Sequence, residues 1–173
     1  MKKTVLIVMI MSITSVALSQ QVVTKYMDKF ENDETFTKVS VSSKMFSLFA
    51  EMEGTEEDEQ LFYDITSKLK GMKVVASEKV AKPKELYDDA VSDIEKAGFE
   101  ELMTVKDAEE DVLISIIEKN GTIAELILVA GGKERFALVS IFGEINLREI
   151  SKLASLMRVS QLKYLENLDG IDD

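Results

Sequence analysis

The amino-acid sequence predicts an α+β domain: a mainly antiparallel sheet with a C-terminal β-meander and amphipathic helices packed on it. Three apolar, β-rich runs follow one another at 111–119 (DVLISIIEK), 122–130 (TIAELILVA) and 135–143 (RFALVSIFG). Asn120-Gly121 joins the first two, and Gly131-Gly132-Lys133-Glu134 joins the second two. Asn-Gly suits a type I′ hairpin turn, because both central residues of that turn take φ > 0. Upstream, apolar residues recur at helical spacing and alternate with short strand-like runs, the mixture expected of helices on an antiparallel sheet.

The first nineteen residues read as a secretory signal peptide. Lys2 and Lys3 precede an apolar stretch from Thr4 to Val16, and Ala17 and Ser19 supply the small residues that a signal peptidase reads. The stretch is too short and wrongly flanked for a good membrane span, so no integral span is expected after cleavage. Residues 20–173 are expected to form one domain, with an acidic tail at 169–173 that frays. Loss of Lys2 and Lys3 leaves 19 basic against 32 acidic residues, a net charge of −13. That acidity argues against nucleic acid or an anionic membrane as partner. The sequence has no cysteine, so an exported fold must hold without disulfides and without a lipid on a cysteine. A soluble periplasmic or secreted protein is expected.

Taken in order, Val22, Val23, Tyr26, Met27 and Phe30 mark a short amphipathic helix. Residues 37–42 (TKVSVS) alternate as a half-exposed or edge strand, and Met45, Phe46, Leu48, Phe49 and Met52 suggest a second short helix. Thr55 opens a helix whose first turn, Glu56 to Glu59, suits the positive end of the dipole. Leu61, Phe62, Ile65 and Leu69 would be its buried stripe, and Gly71 its end. Residues 72–77 read as a strand. Pro83 then starts a helix with Leu86, Tyr87, Ala90, Val91, Ile94 and Ala97 on one face, and Gly98 stands just past its end. Residues 99–105 return as a strand before the meander. Asn146 and Glu149 form a capping box for a last helix, with Leu147, Ile150, Leu153, Ala154 and Met157 facing inward.

A two-residue loop at Asn120-Gly121 sets a register. With uninterrupted pairing, Leu113, Ser115 and Ile117 share a face with Ala124, Leu126 and Leu128, and with Ala137, Val139 and Ile141 of the next strand. The second face then carries Val112, Ile114, Ile116, Ile123, Ile127, Val129, Phe136, Leu138 and Phe142, with Glu118, Glu125 and Ser140 among them. A wet face should alternate more cleanly. This one is therefore expected to be covered, either by the helices at 22–30 and 45–52 or by a partner. Ile114, Glu125, Ile127, Phe136, Leu138, Ser140 and Phe142 are the candidate partner or ligand face.

Little catalytic chemistry is available. The chain has neither His nor Cys, which removes the commonest general base, the commonest metal ligand and the thiol nucleophile. Ser140 lacks a GxSxG elbow, Gly131-Gly132-Lys133 is too short to cradle phosphate, and the acidic run at 56–59 lacks the pattern of a calcium loop. Glu118 and Glu125 are the one carboxylate pair worth weighing, though without a tryptophan to stack a sugar. The nine methionines could line a soft cavity, but most fall on helix stripes or in the signal peptide. No catalytic, cofactor-binding or metal residue is assigned. The leading expectation is a non-enzymatic exported binding or adaptor protein, with an envelope protein or a second copy as partner. The alternatives are a carrier of a small apolar ligand or lipid, and a carboxylate-based hydrolase.

The signal peptide, the acidic helices and the run ELILVAGGKERFALVSIFGEINLREISKLA at 125–154 resemble domain-of-unknown-function family 4252 of exported bacterial proteins. The resemblance implies an envelope or secreted protein of Gram-negative type and carries no established activity, so no functional residue transfers. The resemblance also implies that many relatives are lipid-anchored at a cysteine ending the signal, a residue that this chain lacks.

Overall fold

The computed structural model describes residues 20–50 and 67–147. The expected signal peptide, the expected helix beginning at Thr55 and the expected last helix beyond Leu147 lie outside the described residues. The elements in order are α1 (Gln21–Lys29), β1 (Thr37–Ser42), α2 (Ser43–Ala50), β2 (Leu69–Ser77), α3 (Pro83–Lys96), β3 (Glu100–Lys106), β4 (Glu110–Lys119), β5 (Thr122–Gly132) and β6 (Phe136–Ile145). The strands make one six-stranded sheet in the order β1-β2-β6-β5-β4-β3. Every neighbouring pair is antiparallel.

The meander is present, and its first turn has the expected shape: Asn120 and Gly121 take φ of 55° and 76°. Pro83 stands at the start of α3 and Gly98, at φ 81°, just past its end, the asymmetry expected from a ring that pre-sets φ and a residue without a Cβ. Because neighbours alternate in direction, β2 and β3 run the same way with three strands between them. α3 is thus a long crossover that lies across the sheet. Its Leu86, Tyr87, Ala90 and Ile94, with Val22, Val23 and Tyr26 of α1, pack on Val75, Leu113, Ile127, Val129, Phe136 and Leu138.

The opposite face is also buried. Phe46 of α2 joins Leu69, Val112, Ile114, Ile116, Leu126, Leu128, Val139 and Ile141 there. Of the two N-terminal helices expected over the Phe136 face, α1 lies on it and α2 lies on the other side of the sheet. β1 runs into α2 without a loop, which carries Phe46 around the sheet edge.

Two expectations are corrected. Leu69 and Gly71 belong to β2 and not to a helix end. The reason is steric as well as periodic: the Phe142 ring lies over Gly71, where a Cβ would come within 2.5 Å of the ring. The second correction is the register of the meander. Lys119 faces Thr122 and Glu118 faces Ile123, but Ile117 faces Glu125, so Ala124 is an extra residue in β5. The β5–β6 ladder slips at the same place, passing from Ile123↔Ile145 to Glu125↔Phe142. A bulge of one residue exchanges the faces of everything beyond it. Leu113 therefore faces Val129, and Ile114 faces Leu128. The pairing of β5 with β6 keeps the expected parity, with Leu126, Leu128 and Ala130 opposite Ile141, Val139 and Ala137.

Candidate functional site

The bulge decides what the candidate face contains. Glu125, Ile127, Phe136, Leu138 and Ser140 remain together, whereas Ile114 lies on the opposite face with Leu126 and Leu128. Glu118 and Glu125 are likewise separated. β4 alternates regularly past Ile117, so exposed Glu118 falls on the Ile114 side while Glu125 is fully buried on the other. The carboxylate pair that hydrolysis would need is not assembled.

Nor is the face open. Ile127, Leu138, Glu125 and Ser140 have no exposure and Phe136 has 1%; α1 and α3 pack on Ile127, Phe136 and Leu138. Tyr26 stacks on Phe136 with ring centroids 5.9 Å apart. Phe142, half-buried, sits over Gly71. Glu125, Ile127, Phe136, Leu138 and Ser140 are buried core and not an open surface.

Polar groups in that core are tied to one another. Ser140 Oγ donates to Glu125 Oε1 at 2.6 Å. Lys73, the cross-strand neighbour of Ser140, donates from Nζ to Thr24 Oγ1 at 2.9 Å, and Thr24 Oγ1 donates in turn to the carbonyl of Gln20 at 2.8 Å. A second cluster joins α1 to α3. Lys25 Nζ and Tyr26 Oη both donate to Asp93 Oδ2, at 2.6 and 3.2 Å. Burial pushes the Asp93 carboxyl up, but the Lys25 and Tyr26 contacts outweigh it and hold the group below the usual carboxylate range. Burial first, and then the charge of Asp93, raise the Tyr26 phenol, which keeps it a donor. Sequence reasoning placed Tyr26 on a buried stripe but had no signal for its bond to a residue 67 positions away.

An opening between α1 and α3 is lined by Gln21, Val22, Lys25, Asp93, Lys96 and Ala97. Among the described residues no group of three or more His, Cys, Asp or Glu could hold a metal ion, and no helix is long and apolar enough to cross a membrane.

What the face lacks in exposure, one edge of the sheet supplies. The exposed large hydrophobic residues among those described are Val39 at 39%, Met45 at 43% and Leu48 at 44%. All three belong to β1 and α2, on an edge strand with no bulge in its pairing. The charged residue of β1, Lys38, is turned away. Its ammonium donates to the carbonyls of Phe30 and Asp33 at 2.8 and 3.0 Å, inside a turn closed by the stacked rings of Phe30 and Phe36. The strand therefore lacks the extended charge, proline or bulge that commonly blunts a sheet edge. Sequence reading identified the edge strand but had no signal that its lysine folds back.

The model of one protein family matches residues 26–153, from Tyr26 past the end of β6. The chain belongs to the Domain of unknown function (DUF4252) family. The DUF4252 region takes in Tyr26, Asp93, Glu125 and Ser140 and the β1–α2 edge. No curated protein and no solved structure matches the chain.

Proposed function

We propose that the mature protein is an exported, non-enzymatic binding or adaptor domain of the bacterial envelope that works through its β1–α2 edge. The observation that carries this reading is the gathering of Val39, Met45 and Leu48 at one edge while both sheet faces are buried. An unguarded edge strand offers unpaired backbone groups to an extended segment, and neighbouring apolar side chains add contact area and selectivity. The basic, apolar start and small-residue end of residues 1–19 support export.

Affinity capture from the envelope fraction tests it, with residues 20–173 as bait beside a Val39→Lys, Leu48→Lys variant and with mass spectrometry of both proteins and lipids. The expected result is a protein partner that the wild type retains and the variant loses. Equal retention by both baits would overturn the edge as the site. A lipid that accompanies both baits, with no protein, would replace the adaptor with a carrier.

A further inference from the structure

The two outer strands of the sheet, β1 and β3, are complementary in direction, charge and side-chain pattern. We propose that copies of this chain associate head to tail, with β1 of one copy pairing antiparallel with β3 of the next. The proposal rests on the reading of β1–α2 as the binding edge, and it names the partner as a second copy.

Direction comes from topology. Six strands in alternating directions place β1 and β3 antiparallel to each other at the two ends of the sheet. A second copy in the same orientation therefore continues the sheet with the strand direction that antiparallel pairing needs.

Charge suits this arrangement. Residues 37–50 contain Lys38 and Lys44 and no acid, whereas β3, residues 100–106, contains Glu100 and Glu101 with Lys106. On a chain of net charge −11, the two edges thus differ in sign. Pairing β1 with β1 would bring no acid to Lys44, whereas β3 offers it Glu100 and Glu101. Glu100 and Glu101 are exposed and form no ion pair among the described residues, and Lys44 is exposed as well. Such complementary edges favour the right partner and speed the encounter.

Side-chain pattern fits one register well. Val39 and Val41 face Val74 and Met72 across the β1–β2 ladder, on the same side of the sheet as Met103 and Val105, which face Ile114 and Val112. Setting Val39 opposite Val105 and Val41 opposite Met103 joins four apolar side chains on that side. Ser40 then meets Thr104 on the other side, and Lys44 approaches Glu100 and Glu101. Lys38 comes opposite Lys106, but its ammonium is already drawn back onto the carbonyls of Phe30 and Asp33. A heterologous contact of this kind leaves a free β1 at one end and a free β3 at the other, so growth continues unless the ring closes.

Sedimentation velocity on residues 20–173 tests the proposal with two exposed charge reversals, Lys44→Glu in the first edge and Glu101→Lys in the second, each checked for an unchanged fold by circular dichroism. The wild type should form a concentration-dependent series of oligomers that weakens as salt rises. Each variant alone should associate about tenfold more weakly, as expected for losing a close charge pair. An equimolar mixture should recover a complex, because the reversed edges are complementary to each other. A wild type that stays monomeric up to millimolar concentration would overturn the proposal. So would oligomers indifferent to Glu101→Lys but lost with Lys44→Glu, which would mean that β1 pairs with itself. If the chain is monomeric yet captures another protein through Val39 and Leu48, head-to-tail pairing fails while the β1–α2 edge stands.

Discussion

Ser140 Oγ lies 2.6 Å from Glu125 Oε1 and donates a hydrogen bond to it, with both residues fully buried. A carboxyl group in an apolar layer is costly unless donors meet it. Ser140→Ala should therefore lower stability by about 1–3 kcal/mol, read as a fall in the denaturant midpoint at constant slope. An unchanged midpoint would mean that the bond contributes nothing to the fold.

Phe136 separates a structural face from a binding face. With 1% exposure and Tyr26 stacked on it, Phe136→Ser should cost roughly 3–5 kcal/mol, the range for emptying an aromatic site in a core. Thermal melting and sedimentation of this variant read the two properties separately. A stable variant with altered association would restore the face as a docking surface.

The Asp93 cluster gives a pH signature. Its carboxyl is held below the ordinary range by Lys25 and Tyr26 against the opposing effect of burial. A depressed carboxylate contributes stability that is present above its unfolded pKa and disappears as pH falls through its folded one. Asp93→Asn should cost about 1–2 kcal/mol near neutral pH, a modest value because Lys25 is well exposed. The difference between variant and wild type should vanish in acid. A difference that stays constant down to the acid transition would contradict the assigned linkage.

Gly121 tests the turn by backbone alone. It takes φ 76°, and a Cβ placed there would meet nothing within 4 Å, so any cost of Gly121→Val is conformational. The expected loss is about 1–3 kcal/mol, measured by chemical denaturation, whereas an open turn with no need for positive φ would show none.

Much of the fold was legible because local signals agreed with it: Asn120-Gly121 fixed the turn, and Pro83 and Gly98 bracketed α3. The bulge at Ala124 was not legible, for a physical reason. Apart from Ser115, residues 112–117 and 126–130 are apolar on both sides of the strand, so either parity satisfies burial and alternation cannot report a one-residue slip. Gly71 misled for a related reason. A glycine after Leu69 and Lys70 has the signature of a helix end, while its role here depends on Phe142, 71 positions later in the chain. The binding edge was half visible: alternation in 37–42 gave the edge strand, but the withdrawal of Lys38 depends on the turn at 30–36.

Site-specific photo-crosslinking in cells tests the central claim most directly. A photoreactive amino acid replaces Val39, at the proposed binding edge, or Asp88, an exposed residue of α3 on the far side of the covered face. Val39 should yield discrete adducts, whose mass tells a second copy from another envelope protein, and Asp88 should yield none above background. Adducts from Asp88 with none from Val39 would contradict the assignment of the β1–α2 edge.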